Sequence, residues 1–152
     1  MRISAKVDYA VRALCELAAH EGDAPLKAER IAAAQDVPAS FLINILADLK
    51  RAGFVRSVRG QVGGHRLARP PESISVADVI RAVEGPLADV RGVRPEALHF
   101  RGPAASLRDV WLATRVGVRR VLERITIADI VAGEMPADIR LLLADPDVTR
   151  PH

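Results

Sequence analysis

Twenty consecutive residues, from Lys50 to Arg69, carry the cations Lys50, Arg51, Arg56, Arg59, Arg66 and Arg69 and not one carboxylate. Charge of one sign at this density attracts a polyanion. Gly60, Gly63 and Gly64 are interleaved with it, and residues without a Cβ let a backbone approach such a partner closely. The chemistry on offer is recognition of a phosphate chain. Bond-making constellations are not in view. His20, His65, His99 and His152 are scattered without metal-ligand spacing, and no Cys-x-x-Cys, Walker loop or HExxH occurs. Gly60-Gln61-Val62-Gly63-Gly64 superficially resembles a phosphate loop, but it lacks the following Lys-Ser/Thr and leads into a strand pattern. The chain therefore reads as a binding protein and not an enzyme, with no metal or cofactor expected.

The elements before this basic stretch would position it. Residues 4–20 place Val7, Ala10, Val11, Leu14, Leu17 and Ala18 at helical steps, with Cys15 beside the stripe as a small hydrophobe, and Gly22 with Pro25 ends the run. A second helix is expected over 27–35, a tight turn over 35–38, and a third helix over 39–52 that buries Leu42, Ile45, Leu46 and Leu49. Gly53 stops it at the position where a left-handed conformation is needed. A helix-turn-helix sets the start of its second helix in the major groove. Here that start presents Ala39, Ser40, Ile43 and Asn44. Asn44 suits a bidentate pair with adenine, Ser40 a base or phosphate, and Ala39 or Ile43 a thymine methyl. A helix cap or first-turn residue with no DNA role is the alternative for Ser40, and Phe41 is expected to pack partly against the domain in preference to contacting a base.

After Gly53 the period changes to two. Residues 54–59 and 65–67 read as paired strands around a Gly60–Gly64 tip, a wing. Residues 1–69 thus form an expected winged helix-turn-helix DNA-binding domain. Its contacts are Ala39, Ser40, Ile43, Asn44, Lys50, Arg51, Arg56, Arg59, Gly60 and Arg66, with Arg59 the candidate for a narrow minor groove.

Residues 70–132 are expected to hold a fourth helix over 75–84 opened by Ser75, a loop over 85–103, and a long helix over 106–124. On the long helix Leu107, Val110, Trp111, Thr114, Val118, Val121, Leu122 and Ile125 recur close to a coiled-coil seam, with five arginines off it. Such a helix either packs wholly on its own domain or pairs with a second copy. Pairing is favoured, because twofold dimers match twofold DNA sites. Thr126 and Asp129 resemble a capping box for a helix over 127–132. The tail, 133–152, is expected to add a turn or two of helix over 136–144 and to fray at its end. The fold class is mainly α: helices, a small β-hairpin wing and a long C-terminal dimerisation helix.

Composition agrees. At 152 residues, 49% apolar and 27% charged, the chain is globular and of one-domain size, and its net charge of only +3 makes placement of charge more informative than its total. Five aromatics, Tyr9, Phe41, Phe54, Phe100 and Trp111, are too few and scattered for a stacking platform, which points to double-stranded DNA over single strands or RNA. The single cysteine, the lack of an 18-residue apolar run, and an amphipathic start interrupted by Asp8 and Glu16 lead to a cytoplasmic expectation without membrane contact.

Several runs, in order, resemble the Rrf-two family of bacterial winged-helix transcription regulators. They are Met1-Arg2-Ile3-Ser4, Tyr9-Ala10-Val11-Arg12-Ala13-Leu14, Leu49-Lys50-Arg51-Ala52-Gly53-Phe54-Val55, Val58-Arg59-Gly60, Gly63-Gly64-His65-Arg66-Leu67-Ala68, Ile80-Arg81-Ala82-Val83-Glu84-Gly85 and Ile125-Thr126-Ile127-Ala128-Asp129. The resemblance implies a homodimer joined through the long helix, a partly palindromic operator, and DNA contact at Ser40, Asn44 and Arg59. Many relatives carry three cysteines in the loop before the long helix that bind an iron–sulfur cluster, and some place a further ligand where Asp8 stands. Residues 85–106 contain no cysteine, and a carboxylate alone does not replace several thiolates. The expectation is a repressor without a cluster, its signal a small molecule, a protein partner or none. The competing readings are a winged-helix module that binds only protein and a metal- or cluster-dependent sensor.

Overall fold

The structure, a computed structural model, describes residues 3–20 and 24–149. The opening Met1-Arg2, the expected stop at Gly22 and the terminal Arg150, Pro151 and His152 lie outside them. Helix α1 (Ala5–Ala19) is capped by the Ser4 hydroxyl, which accepts from the Val7 amide. It runs through the middle of the fold, against α2 (Ala28–Gln35), α3 (Ala39–Arg51), α4 (Val76–Val83) and α6 (Ile127–Ala132). Its inward residues Val7, Ala10, Ala13, Leu14 and Leu17 meet Ile31 of α2, the α3 leucines and isoleucine, Val79 of α4 and Ile127 of α6 in one apolar cluster. No polar or charged residue is buried among the described residues.

α2 ends on Asp36 in the left-handed conformation (φ 50°), a conformation that aspartate tolerates and that turns the chain sharply into α3. α3 ends as expected: Gly53 has φ 78°, and the Phe54 amide reaches back to the Leu49 carbonyl at 2.9 Å. Strands β1 (Val55–Val58) and β2 (Gly64–Leu67) pair antiparallel with Arg56 opposite Arg66 and Ser57 opposite His65. The hairpin does not stand free. Leu26 and His65 exchange both backbone hydrogen bonds, at 3.0 and 2.7 Å, tying β2 to the segment before α2.

Downstream, α4 opens with a capping box formed by Ser75 and Asp78, and α6 with one formed by Thr126 and Asp129. The two starts lie side by side: the Val76 amide donates to Ile125, and the Ile127 amide to Ile74. The boundary expected after residue 69 therefore runs through one continuous core, because α4 and α6 complete the surface that α1 would otherwise leave wet. Between them α5 (Leu107–Leu122) stands off, a sixteen-residue helix with no buried residue. The stretch expected as plain loop holds 3-10 turns at Pro95–Ala97 and Gly102–Ala104 and buries Pro95 and Leu98. A last helix, α7 (Ala137–Leu143), follows.

Candidate nucleic-acid interface

α3 is two-faced. Leu42, Ile45, Leu46 and Leu49 are at most 1% exposed, while Ala39, Ser40, Ile43 and Asn44 all face solvent. Phe41, expected to pack partly inward, is 61% exposed. Those four core side chains already fill the inward arc, so Phe41 is left on the outer shoulder. With Ile43 it forms an apolar patch on the same surface, and covering either would be worth about 1.5–3 kcal/mol. Phe41 thus adds exposed apolar surface beside the candidate base-contacting residues of α3.

Ser40 is not a cap. The N-cap position falls on Pro38, and no side chain caps α3. The Ser40 carbonyl instead accepts from Asn44 Nδ2 at 3.5 Å, a contact long enough to exchange for a better partner. The amide of Asn44 is thus displayed on an exposed helix face with little to hold it back.

The basic stretch folds into neighbouring positions but its cations are not equivalent. Arg51 pairs with Asp48 at 3.0 Å, and Asp48 also holds the Lys6 ammonium at 2.7 Å. The Lys6 hydrogen bond is the main reason that the Asp48 carboxyl lies below its ordinary range. Arg69 lies 4.4 Å from the Phe54 ring centre, stacked on it. Both arginines have a partner within the protein and yet remain exposed to solvent. Lys50, Arg56, Arg59 and Gly60 are exposed, whereas Arg66 is half-buried and engaged within the protein. Arg56 and Arg66 face each other across the hairpin, and like charges in register cost stability unless an anion relieves them. His65 adds no seventh charge: burial, then the nearby Lys50, pushes its pKa below the usual imidazole value.

The glycines of the wing have separate reasons. Gly60 has φ 107° and open space around it. A Cβ on Gly64 would lie 2.4 Å from the Leu26 carbonyl oxygen, and one on Gly63 would lie 2.5 Å from that of Val58. Gly63 and Gly64 are needed for the hairpin's own packing.

On α5 the expected seam residues Leu107, Trp111, Val118, Val121 and Leu122 are half-buried, as is Ile125 just beyond it; Val110 and Thr114 are exposed. Val110 is 52% exposed, and Val116, outside the expected seam, is 45% exposed. Leu141, Leu142 and Leu143 on α7 are also exposed, a run of three leucines legible in the sequence.

The family profile described as "Rrf2: Iron-dependent Transcriptional regulator" matches residues 3–133. The chain belongs to the Rrf2 family. It is 46% identical over 145 residues to Rv1287 of Mycobacterium tuberculosis, named as an HTH-type transcriptional regulator, covering 95% of this chain and 90% of that protein. It is 33% identical over 132 residues to the HTH-type transcriptional regulator CymR of Bacillus subtilis, covering 87% and 91%. The solved structure of B. subtilis CymR, described as the global cysteine regulator of that organism, superposes with a TM-score of 0.74 at 32% identity over 88% of this chain and 98% of that one. IscR of T. potens gives a TM-score of 0.71 at 34% identity, covering 88% of each. The fold is accordingly that of the winged-helix regulators, and the protein is a DNA-binding transcriptional regulator of this family. No helix among the described residues is long and apolar enough to cross a membrane.

The family's description invokes iron, and the residues of this chain do not fit an iron–sulfur cluster. The sequence has one cysteine. Cys15 is half-buried, and burial pushes its thiol up to about 11, so it is not a ready thiolate. Among the described residues no three His, Cys, Asp or Glu side chains converge as metal ligands, and Asp8 instead pairs with Arg12 at 3.1 Å.

Proposed function

We propose that this Rrf2-family protein is a homodimer that binds a partly palindromic operator and represses transcription. In this reading α3 enters the major groove with Ser40, Ile43, Asn44 and Ala39, Phe41 contacts a base methyl, and Arg59 at the wing reaches the minor groove. Lys50, Arg51, Arg56, Gly60 and Arg66 line the sugar-phosphate track between them. The observation that carries it is the exposed α3 face, apolar and amide-bearing, beside a wing whose exposed charges are all positive. An apolar shoulder with a free carboxamide is the equipment for base edges, and the cations supply affinity without sequence information.

The dimer is supported by α5. Sixteen residues of amphipathic helix with no buried position, and with Val110 and Val116 open, leave apolar surface that a second copy of the same helix would cover. Selection of bound duplexes from a random library tests the whole reading. Enriched sites with inverted symmetry, half-sites about 10 base pairs apart, are the expected result. Sedimentation should give a dimer for the native chain and a monomer for Val110→Asp. A monomer in the native protein, or recovery of no enriched duplex, would remove the reading and leave a winged-helix module that binds protein alone.

A further inference from the structure

The outer side of the α4–α5 junction contains a cavity of about 470 Å³ between the end of α4, the loop that follows it and α5. Four guanidinium groups line it, from Arg81, Arg94, Arg115 and Arg119, against the single carboxylate of Glu96. We propose that this cavity binds a small polyanion, a molecule presenting two or more carboxylate or phosphate charges to these arginines.

The arginines are only partly satisfied by their neighbours. Arg115 pairs with Glu96, yet its Nε–H is buried and without a hydrogen-bond partner. Arg81 is held from outside the cavity by Asp78 and Glu123, and Arg119 by the same Glu123. The Arg94 carbonyl accepts from the Ala97 amide, but its guanidinium forms no hydrogen bond or ion pair with a described residue; its charge acts on Glu96. A guanidinium carries five N–H donors in a planar fork, so even the paired arginines keep an edge for a second acceptor. Four cations gathered in a concavity and only partly neutralised by their neighbours repel one another, and that cost is recovered when an anion enters. A monoanion would duplicate what Glu96 already supplies. A ligand with two or more charges can engage Arg94 from the loop together with Arg115 and Arg119, which lie one turn apart on the same face of α5. The floor is undemanding, with Gly85, Pro86, Leu87 and Ala88 as backbone and small apolar surface. This proposal deepens the regulator reading by giving its signal a place, and its test does not use DNA.

Trp111, the only tryptophan in the sequence, lies one helical turn before Arg115 and lines an adjoining cavity that shares Pro86, Leu87 and Ala88 with this one, so it offers a label-free probe of binding. Its emission is followed while pyrophosphate or citrate is added at constant ionic strength set with sodium chloride, two probes that separate a phosphate preference from a carboxylate one. The expected result is a saturable change with at least one probe. It should weaken about tenfold or more in Arg94→Ser and in Arg115→Gln, the loss of one charge-assisted contact, and stay unchanged in Arg59→Ser on the wing. Arg94 is exposed on a loop, so its replacement is not confounded by unfolding. No saturable response to either probe overturns the proposal, as does an equal response in Arg94→Ser. Loss of DNA binding by the native protein would leave this titration unaffected, so the two readings fail separately.

Discussion

Replacing Gly64 by alanine tests why the wing is where it is. The new Cβ would sit 2.4 Å from the Leu26 carbonyl oxygen and 2.6 Å from its carbon. Both are backbone atoms, so no rotamer change relieves the clash. The hairpin must move off Leu26, and the two hydrogen bonds that Leu26 and His65 exchange are lost or stretched. Each such bond is worth about 0.5–1.5 kcal/mol net, so the substitution should cost about 1–3 kcal/mol. For a chain of this size that is a fall in Tm of about 2–12 °C. Thermal or urea unfolding measures it, and amide exchange at Leu26 and His65 shows where it arises, both being expected to lose protection. Gly60→Ala is the control: its φ of 107° strains a side chain, but open space surrounds it, so those two amides should stay protected. A Gly64→Ala protein with native Tm and native protection at Leu26 and His65 would refute the claim that this glycine is required by protein packing; weakened DNA binding in such a protein would restore the view that it serves DNA approach.

Asn44→Ala should leave the unfolding transition unchanged, since the residue is exposed, and should reduce discrimination between operator and scrambled duplex by about 1–3 kcal/mol in competition binding; unchanged discrimination would take Asn44 out of base recognition. Affinity for DNA should fall with salt, and Arg59→Ala should flatten the slope of log affinity against log salt by about 0.9 per protomer if that arginine neutralises one phosphate. Asp129 has its carboxyl held below the ordinary value, first by the Thr126 backbone amide and then by the Thr126 hydroxyl. A depressed folded value means that the stabilisation is present above the unfolded pKa, about 3.9, and is lost as pH falls through the lower folded one. Unfolding measured from neutral to acid pH should therefore show a steeper acid loss in the native protein than in Asp129→Asn.

The parts of the fold that were legible in the sequence are those governed by local rules. The three- and four-residue spacing of Leu42, Ile45, Leu46 and Leu49 determines which side of α3 turns inward, and Gly53 ends that helix because only a left-handed residue closes it. Thr126 and Asp129 form the expected capping box because both partners lie within one turn. What was not legible depends on residues far apart in the chain. Nothing near Gly64 announces Leu26, nor does Arg69 announce the Phe54 ring across the base of the hairpin. Asp48 precedes the carboxylate-free stretch, yet it binds Arg51 and Lys6 together, so a count of charges within the stretch overstates what is available to DNA. How far Phe41 is exposed depends on Leu42, Ile45, Leu46 and Leu49 filling the inward arc of α3, which leaves it on the shoulder. The arginine cavity joins Arg81 to Arg119 through the fold alone, and its four members look like ordinary solvated charges when read along the sequence.

The paired starts of α4 and α6 fix one end of α5. Thr126 bridges Ser75, and the backbone on either side is bonded across, so the C-terminal end of the rod is pinned to the core while its other end is reached only through the Gly85–Ser106 stretch. Sixteen residues of α-helix extend about 24 Å at 1.5 Å per residue. A tilt of about 10° at the pin would sweep the Leu107 end through about 4 Å, close to the 5.4 Å pitch of one helical turn. Geometry of this kind would act as a lever: a small rotation at the pinned end would become a large displacement at the far tip.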